Sequence, residues 1–322
     1  MAAPVLSPKA PSVTTARARE PQRGRTAGRR RRDALTGWVL ISPALIHFVV
    51  FMVLPAAMAL YFSFTDWNLR ETAEWTGLEN YRALLSDELR FPHFWPSVKV
   101  TLYFTVVSVP VALAVALTQA MLINSVRRGS NLFRLLLFLP VVTAEAAVGV
   151  IWRWLYDPQY GLLNTFLGLF GVPAQNWLNE ADLVIPALVV IAAWQSGTAM
   201  IIYLAGLKGI PHSLYEAATI DGAGFWQRFR HVTIPQLRPT TFYLLVTHMI
   251  AALQVFGLVF TIFSAREIGG PEQSGLSFVL YLYLNAFRYD AMGAACAMSF
   301  ILFVLIMIVT ALQFRFVRQG ND

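Results

Sequence analysis

Charge, cysteine and lysine are scarce in this chain. Only 13% of its 322 residues are charged, against about 25% in ordinary soluble proteins, which excludes a large water-soluble core. The single cysteine, Cys296, excludes an intramolecular disulfide and any thiol-redox or zinc motif. It reads as a small apolar residue within a span. The five histidines, His47, His93, His212, His231 and His248, lack metal-ligand spacing, so neither a metal nor another cofactor is expected. The sequence has no G-x-x-x-x-G-K-[ST] loop to cradle nucleotide phosphates and no H-E-x-x-H. A catalytic role is therefore not expected, and any ATP-derived energy has to come from another chain. Nine of the 25 Lys and Arg residues precede Asp33, and this tail accounts for the net charge of +7. The charge does not point to nucleic acid.

Apolar residues are abundant, at 57% of the chain, and the mean hydropathy is +0.55. Residues 1–33 are rich in Pro, Ala, Ser, Thr and Arg without apolar periodicity, and read as a disordered basic tail. The run from Leu35 to Phe64 follows Arg29 to Arg32, and "AMA" at Ala57 to Ala59 has the form of a leader cleavage site. The run is too long for a leader's apolar segment of about 7–15 residues, so it reads as a membrane span. Taking about 20 apolar residues per span, the chain predicts an all-α protein of six transmembrane helices. They lie near 36–63, 101–124, 132–156, 183–206, 240–264 and 291–314, within a membrane domain over 34–316 and before a short tail, 317–322. Basic residues fall in the N-terminal tail, at Arg127 and Arg128, between Lys208 and Arg238, and at Arg315 and Arg318. The loop near 157–182 carries Asp157, Glu180 and Asp182 and no cation. The positive-inside rule then places both termini and the 208–238 segment in the cytoplasm.

That segment has its own pattern. Ser213 and Glu216 have the S-x-x-E spacing of a capping box behind Pro211. Leu214, Ala217 and Ala218 share one helix face, Gly222 and Gly224 break the helix, and Phe225, Phe229 and Val232 resume an apolar stripe. Asp221 is placed to cap the second helix or to face a partner's cation, and Pro235 and Pro239 are expected to end that helix. The reading is two short helices joined by a small-residue turn.

The run "EAATIDGA", followed by Phe229 and by "IP" at Ile234 and Pro235, resembles the EAA loop of binding-protein-dependent ABC importer permeases. The sugar-type branch, with maltose and glycerol-3-phosphate permeases, is the best match. "SFTDWN" from Ser63, "GLENYRALL" from Gly77 and "AGLKGIP" from Ala205 extend the likeness over most of Leu35 to Phe316. The resemblance implies a type I importer permease fold in a bacterial cytoplasmic membrane. It implies a cytoplasmic ABC ATPase dimer, a second permease forming a heterodimer, an extracytoplasmic solute-binding protein and a sugar substrate. By match to the motif, Glu216, Ala217, Ala218, Asp221, Gly222, Ala223, Phe229 and Pro235 would form the contact with the ATPase. "IGGPEQSG" from Ile268 partly matches a glycine-rich outer loop of the family.

Polar residues within apolar stretches are costly and face a protein interior or a pathway. Glu145 is expected about 20 Å into the third span at 1.5 Å per residue, just past the midplane. Arg153 reads as a snorkelling cation in an aromatic belt or a partner for Asp157 at i+4. Trp194 and Gln195 in the fourth span, and His248 and Gln254 in the fifth, could supply the aromatic platform and hydrogen bonds a sugar needs, or bind helices together. A glycerol-phosphate-type solute, a stand-alone secondary transporter and a membrane sensor or scaffold are the competing readings.

Overall fold

The computed structural model describes residues 27–126, 128–263 and 269–319. Arg127, the Arg266–Ile268 stretch and residues 1–26 and 320–322, which figure in the sequence reading, lie outside the described residues. The chain divides into two compact units, Met1–Ala57 and Met58–Asp322. Among the described residues the secondary structure is helical, apart from one isolated bridge between Thr65 and Trp75.

In the first unit, α1 (Ala27–Phe48) runs through a wide π turn, Val49–Val53, into the start of α2 (Leu54–Phe62), within which the first unit ends. The helix thus starts inside the segment expected to be a disordered tail. The π turn has a local cause. Pro55 lacks an N–H, and its ring would press on the carbonyl four residues back in a regular helix. The Leu54 N–H bonds to the Val49 carbonyl, five residues back, and this widened register makes room.

The second unit is built around α4 (Phe94–Ser125). Its 32 residues reach about 48 Å, longer than a hydrocarbon core of about 30 Å. Phe104, Ser108, Ala112, Ala116 and Ala120 form a buried stripe at i+4 spacing along it. Small side chains there let α8 (Ala181–Trp194) and α9 (Gly197–Gly209) pack closely on α4. α13 (Arg238–Leu253) and α15 (Phe278–Phe287) also pack on it. Between α2 and α4 lies the short α3 (Glu79–Ser86), held by Asn80 Nδ2, which donates to the carbonyls of Ser63 at 3.0 Å and Thr65 at 2.8 Å.

Two of the expected spans are sharply bent. α5 (Ser130–Val142) meets α6 (Glu145–Leu155) at 100°, and α8 meets α9 at 48°. Among the described residues four helical runs are individually long and apolar enough to cross a membrane, and the number rises to six when each bent pair counts as one. The run that holds α13 and α14 (Gly257–Phe263) is interrupted at Gln254–Phe256. Outside the expected spans lie α7 (Leu162–Gly168) and the apolar α15; α16 (Met292–Gln319) closes the order.

Candidate functional site: the helical hairpin and the broken spans

After α9, Pro211 precedes α10 (His212–Ile220). The capping box read from Ser213 and Glu216 does not form. Pro211 occupies the cap position, two residues ahead of Ser213, and His212 Nδ1 takes the Glu216 carboxylate at 3.0 Å. The helix ends in a Schellman motif: the Gly222 N–H reaches the Thr219 carbonyl and the Ala223 N–H reaches Ala218, at 3.0 and 2.9 Å. Gly222 sits at φ +75°, the left-handed position that motif requires.

The second helix, α11 (Phe225–Arg228), is not capped by Asp221, which instead ends α10. The Gly224 N–H donates to Gln227 Oε1 at 2.7 Å in the return half of a capping arrangement. Nor does Pro235 end the helix. A π turn over Phe229–Thr233 absorbs it, the Ile234 N–H bonding to the Phe229 carbonyl, and α12 (Ile234–Gln236) continues toward α13. This is the device seen ahead of Pro55.

The two helices are cross-tied. Tyr215 Oη and Thr233 Oγ1 lie 2.9 Å apart, and Arg228 Nη1 donates to Thr219 Oγ1 at 3.3 Å. Residues at the tip face solvent: Ile220 is 86% exposed, Trp226 74% and Phe225 58%. Phe225, Trp226 and Phe229 form one ring cluster, with centroids 5.5 to 6.5 Å apart. Glu216, Ala217, Asp221 and Gly222 are exposed, while Ala218, Ala223, Phe229 and Pro235 are half-buried. Sequence reasoning missed Ile220, Trp226 and the Tyr215–Thr233 tie. The signal for Trp226 was a large aromatic just off the apolar stripe; the tie spans 18 residues and left no local mark.

Glu145, Trp194, Gln195 and Gln254 lie at the breaks of the expected spans, whereas His248 lies within α13. Glu145 opens α6 immediately after the 100° bend, so the depth expected from a straight third span does not apply. Its negative charge in the first turn suits the helix dipole. A Cβ at Gly257 would overlap the Glu145 carboxylate, and one at Gly149 would lie 2.7 Å from Thr261 Cβ. Two glycines therefore set the close packing of α6 on α14. Gln254 ends α13 three residues before Gly257 and is exposed. Ser277 secures this break, its hydroxyl donating to the Val255 carbonyl at 2.8 Å while accepting from the Leu280 N–H.

Trp194 and Gln195 stand at the bend between α8 and α9. A Cβ at Gly197 would overlap the Leu137 carbonyl, so the bend rests against the backbone of α5. Trp194 meets Trp152 edge-on at 5.6 Å, and the rings continue through Tyr156 to Trp177. His248 Nδ1 lies 3.0 Å from the Leu244 carbonyl, one turn back on its own helix. The structure thus joins Glu145 to the break beside Gln254, and Trp194 to α6 through Trp152. His248 is engaged locally. Among the described residues no group of three or more His, Cys, Asp or Glu could hold a metal.

Comparison with known proteins agrees with this architecture. Residues 24–319 match the family described as "Binding-protein-dependent transport system inner membrane component". The probable ABC transporter permease protein YesP of Bacillus subtilis is 34% identical over 287 residues, covering 88% of this chain and 91% of that protein. The sn-glycerol-3-phosphate transport system permease protein UgpA of Pectobacterium atrosepticum is 33% identical over 290 residues, covering 89% and 96%. The sulfoquinovosyl glycerol transport system permease protein SmoG of Agrobacterium fabrum is 33% identical over 292 residues, covering 90% and 92%. A solved bacterial ABC transporter involved in import of the acidic polysaccharide alginate contains a chain of the same fold. The TM-score is 0.78 at 22% identity, covering 91% of this chain and all of that one. The chain belongs to the inner-membrane components of binding-protein-dependent transport systems, a multi-pass transport subunit and not an enzyme.

Proposed function

We propose that this chain is one permease subunit of an ATP-driven importer for a sugar or oligosaccharide. The observation that carries the coupling half of this reading is the cytoplasmic hairpin. A cross-tied pair of short helices exposes Ile220, Phe225 and Trp226 together at its tip. Large apolar groups grouped this way favour a protein partner. The partner is a cytoplasmic ATPase, met by Glu216, Ala217, Ala218, Asp221, Gly222 and Ala223, with Phe229 and Pro235 shaping the hairpin behind them. Closure of two ATPases would pull the hairpin, and the breaks near Glu145, Trp194 and Gln254 would give the spans places to bend. A second, different permease completes the pore, an external binding protein delivers the solute, and both termini lie in the cytoplasm.

The sugar assignment is supported by the relative named for sulfoquinovosyl glycerol, a glycosyl solute. Glu145, Trp194, Gln195, His248 and Gln254 are the candidate pathway residues. UgpA-type relatives also favour a second reading, a glycerol-phosphate solute. Among the described residues no ion pair neutralises Glu145, and an unpaired carboxylate opposes an anion in the pathway. Gentle purification of the tagged chain from its native membrane, with mass spectrometry of its companions, tests the proposal. An ATPase, a second permease and a secreted binding protein are expected together. Recovery of the chain alone, or with a sensor kinase, would favour a stand-alone transporter or a scaffold.

A further inference from the structure

A small cavity of about 290 Å³ opens between the N-terminal ends of α4 and α8 and the loop ahead of α15. Lys99 and Tyr103 line it from α4, Asp182 from α8 and Ser274 from the loop, with Val100 and Ile185 adding apolar surface. Counted as one span, α8–α9 ends beside the hairpin, so the cavity lies at the opposite end of that span. A centred α4 of about 48 Å overhangs a hydrocarbon core of about 30 Å by roughly 9 Å at each end. Lys99 is about 7.5 Å along the axis from Phe94, where α4 starts, and so stands at the level of lipid headgroups.

The polar groups are sorted by element. Lys99 and Tyr103, one turn apart on α4, present an ammonium and a phenol hydroxyl that can donate. Asp182 and Ser274 present acceptors, a carboxylate and a hydroxyl whose own proton goes to the Pro271 carbonyl at 2.8 Å. Lys99 and Asp182 are both exposed, and among the described residues no ion pair joins them. Two opposite charges therefore line one cavity without meeting. From there each helix carries exposed apolar residues on the same face into the span. On α4 these are Tyr103, 55% exposed, and Val106, 65% exposed; on α8 they are Pro186 and Val190, four and eight residues past Asp182.

We infer that this cavity holds the headgroup of a phosphatidylethanolamine-type lipid, whose acyl chains cover the two apolar stripes. The phosphate takes the donors of α4, and the ammonium takes Asp182 and Ser274. A headgroup with a phosphate and no amine sets its charge against Asp182, and a choline nitrogen has no N–H to donate. The cavity is smaller than the range of about 300–1,000 Å³ usual for sites enclosing a drug-sized ligand, which suits a headgroup better than an oligosaccharide. The inference needs only a membrane-spanning chain and stands apart from the identity of the solute.

The test is native mass spectrometry of the tagged chain, purified with its companions and placed in nanodiscs of equal phosphatidylethanolamine, phosphatidylglycerol and phosphatidylcholine. Phosphatidylethanolamine should be retained in preference to the other two. Lys99→Gln should weaken its retention about tenfold, as expected for losing a charged hydrogen bond. Asp182→Asn should weaken it similarly and raise the share of phosphatidylglycerol, a change of selectivity that a loosened fold would not produce. Lys99→Arg should keep the original preference.

Equal retention of the three lipids by the unaltered chain would overturn the inference whatever the variants do, and a preference for phosphatidylglycerol would replace it with an anion site. Glycerophosphoethanolamine, the same headgroup without acyl chains, should not displace the lipid at equal concentration; displacement would make this a site for a soluble zwitterion. Lipid held by the chain alone but absent from its complex with a second permease would assign the stripes to the subunit contact and also overturn it. Should the chain come without companions, the importer reading fails while the lipid preference is still read on the chain alone.

Discussion

Gly222 can matter for two physical reasons, and a short substitution series separates them. Its φ of +75° is strained for residues with a Cβ, while a Cβ built there meets nothing within 4 Å in this chain. If conformation is its whole role, alanine costs about 1–2 kcal/mol, the penalty for a left-handed L-residue. Asparagine, which tolerates that region through local hydrogen bonding, costs less. Valine, β-branched and stiff, costs most. If the ATPase packs against the bare glycine, size decides instead, and the smaller alanine outperforms asparagine. We expect the second order in ATPase retention, with alanine better than asparagine and valine worst. Thermal stability of the isolated chain should follow the first order. The assay is ATPase recovered per permease on affinity purification, with melting of each isolated variant in nanodiscs as the control. A loss of 1.4 kcal/mol in the contact is a tenfold drop in affinity, large enough to read by titration. Asparagine restoring full ATPase binding while alanine fails would refute close approach and leave Gly222 a helix terminator only.

Other consequences follow from the broken spans and the hairpin ties. Gly257→Ala should destabilise the α6–α14 contact by about 1–3 kcal/mol, since its methyl would overlap the Glu145 carboxylate. Adding Glu145→Ala should recover much of that loss in nanodisc melting, and simple additivity would show that the two do not meet. Ser277→Ala should cost about 1 kcal/mol, because it removes both the helix cap at Leu280 and the donor to the Val255 carbonyl. Rapid hydrogen exchange confined to 278–281 in that variant would locate the loss, and unchanged exchange would count against it. Tyr215→Phe and Thr233→Val should show a coupling of about 1 kcal/mol in a double-mutant cycle on ATPase retention, reflecting their shared hydrogen bond. A coupling of zero would mean that the partner, not the tie, holds the hairpin in shape.

The six apolar stretches were legible because membrane burial demands long unbroken apolar runs, and only composition is needed to find them. The hairpin was legible because Gly222 and the Phe225–Phe229 stripe are local signals, each complete within a few residues. The breaks at Thr143–Ala144, at Gln195–Ser196 and at Gln254–Phe256 are marked in the sequence only by polar residues, Glu145, Gln195 and Gln254 among them, which read equally well as pathway or helix-binding groups. Pro186 lies well before its bend in a helix that continues past it. What fixes the breaks is tertiary. Gly197 accepts the α5 backbone, Gly257 accepts the Glu145 carboxylate, and Ser277 closes a carbonyl more than 20 residues distant.

Proline shows the same limit from the other side. Pro235 reads as a helix end on steric grounds and Pro55 falls inside an expected span, yet ahead of each a single π turn supplies the missing room and the helix continues. A π turn is itself a weak point, with one hydrogen bond displaced and poorer packing of the ring it encloses. One of the two lies between the tip of the hairpin proposed to meet the ATPase and α13, the helix that ends at Gln254. A pull on the hairpin would reach the membrane through that turn. The proline is then better understood as fixing where the connection yields than as ending the helix, and this is why its position relative to the hairpin, and not its mere presence, carries the functional information.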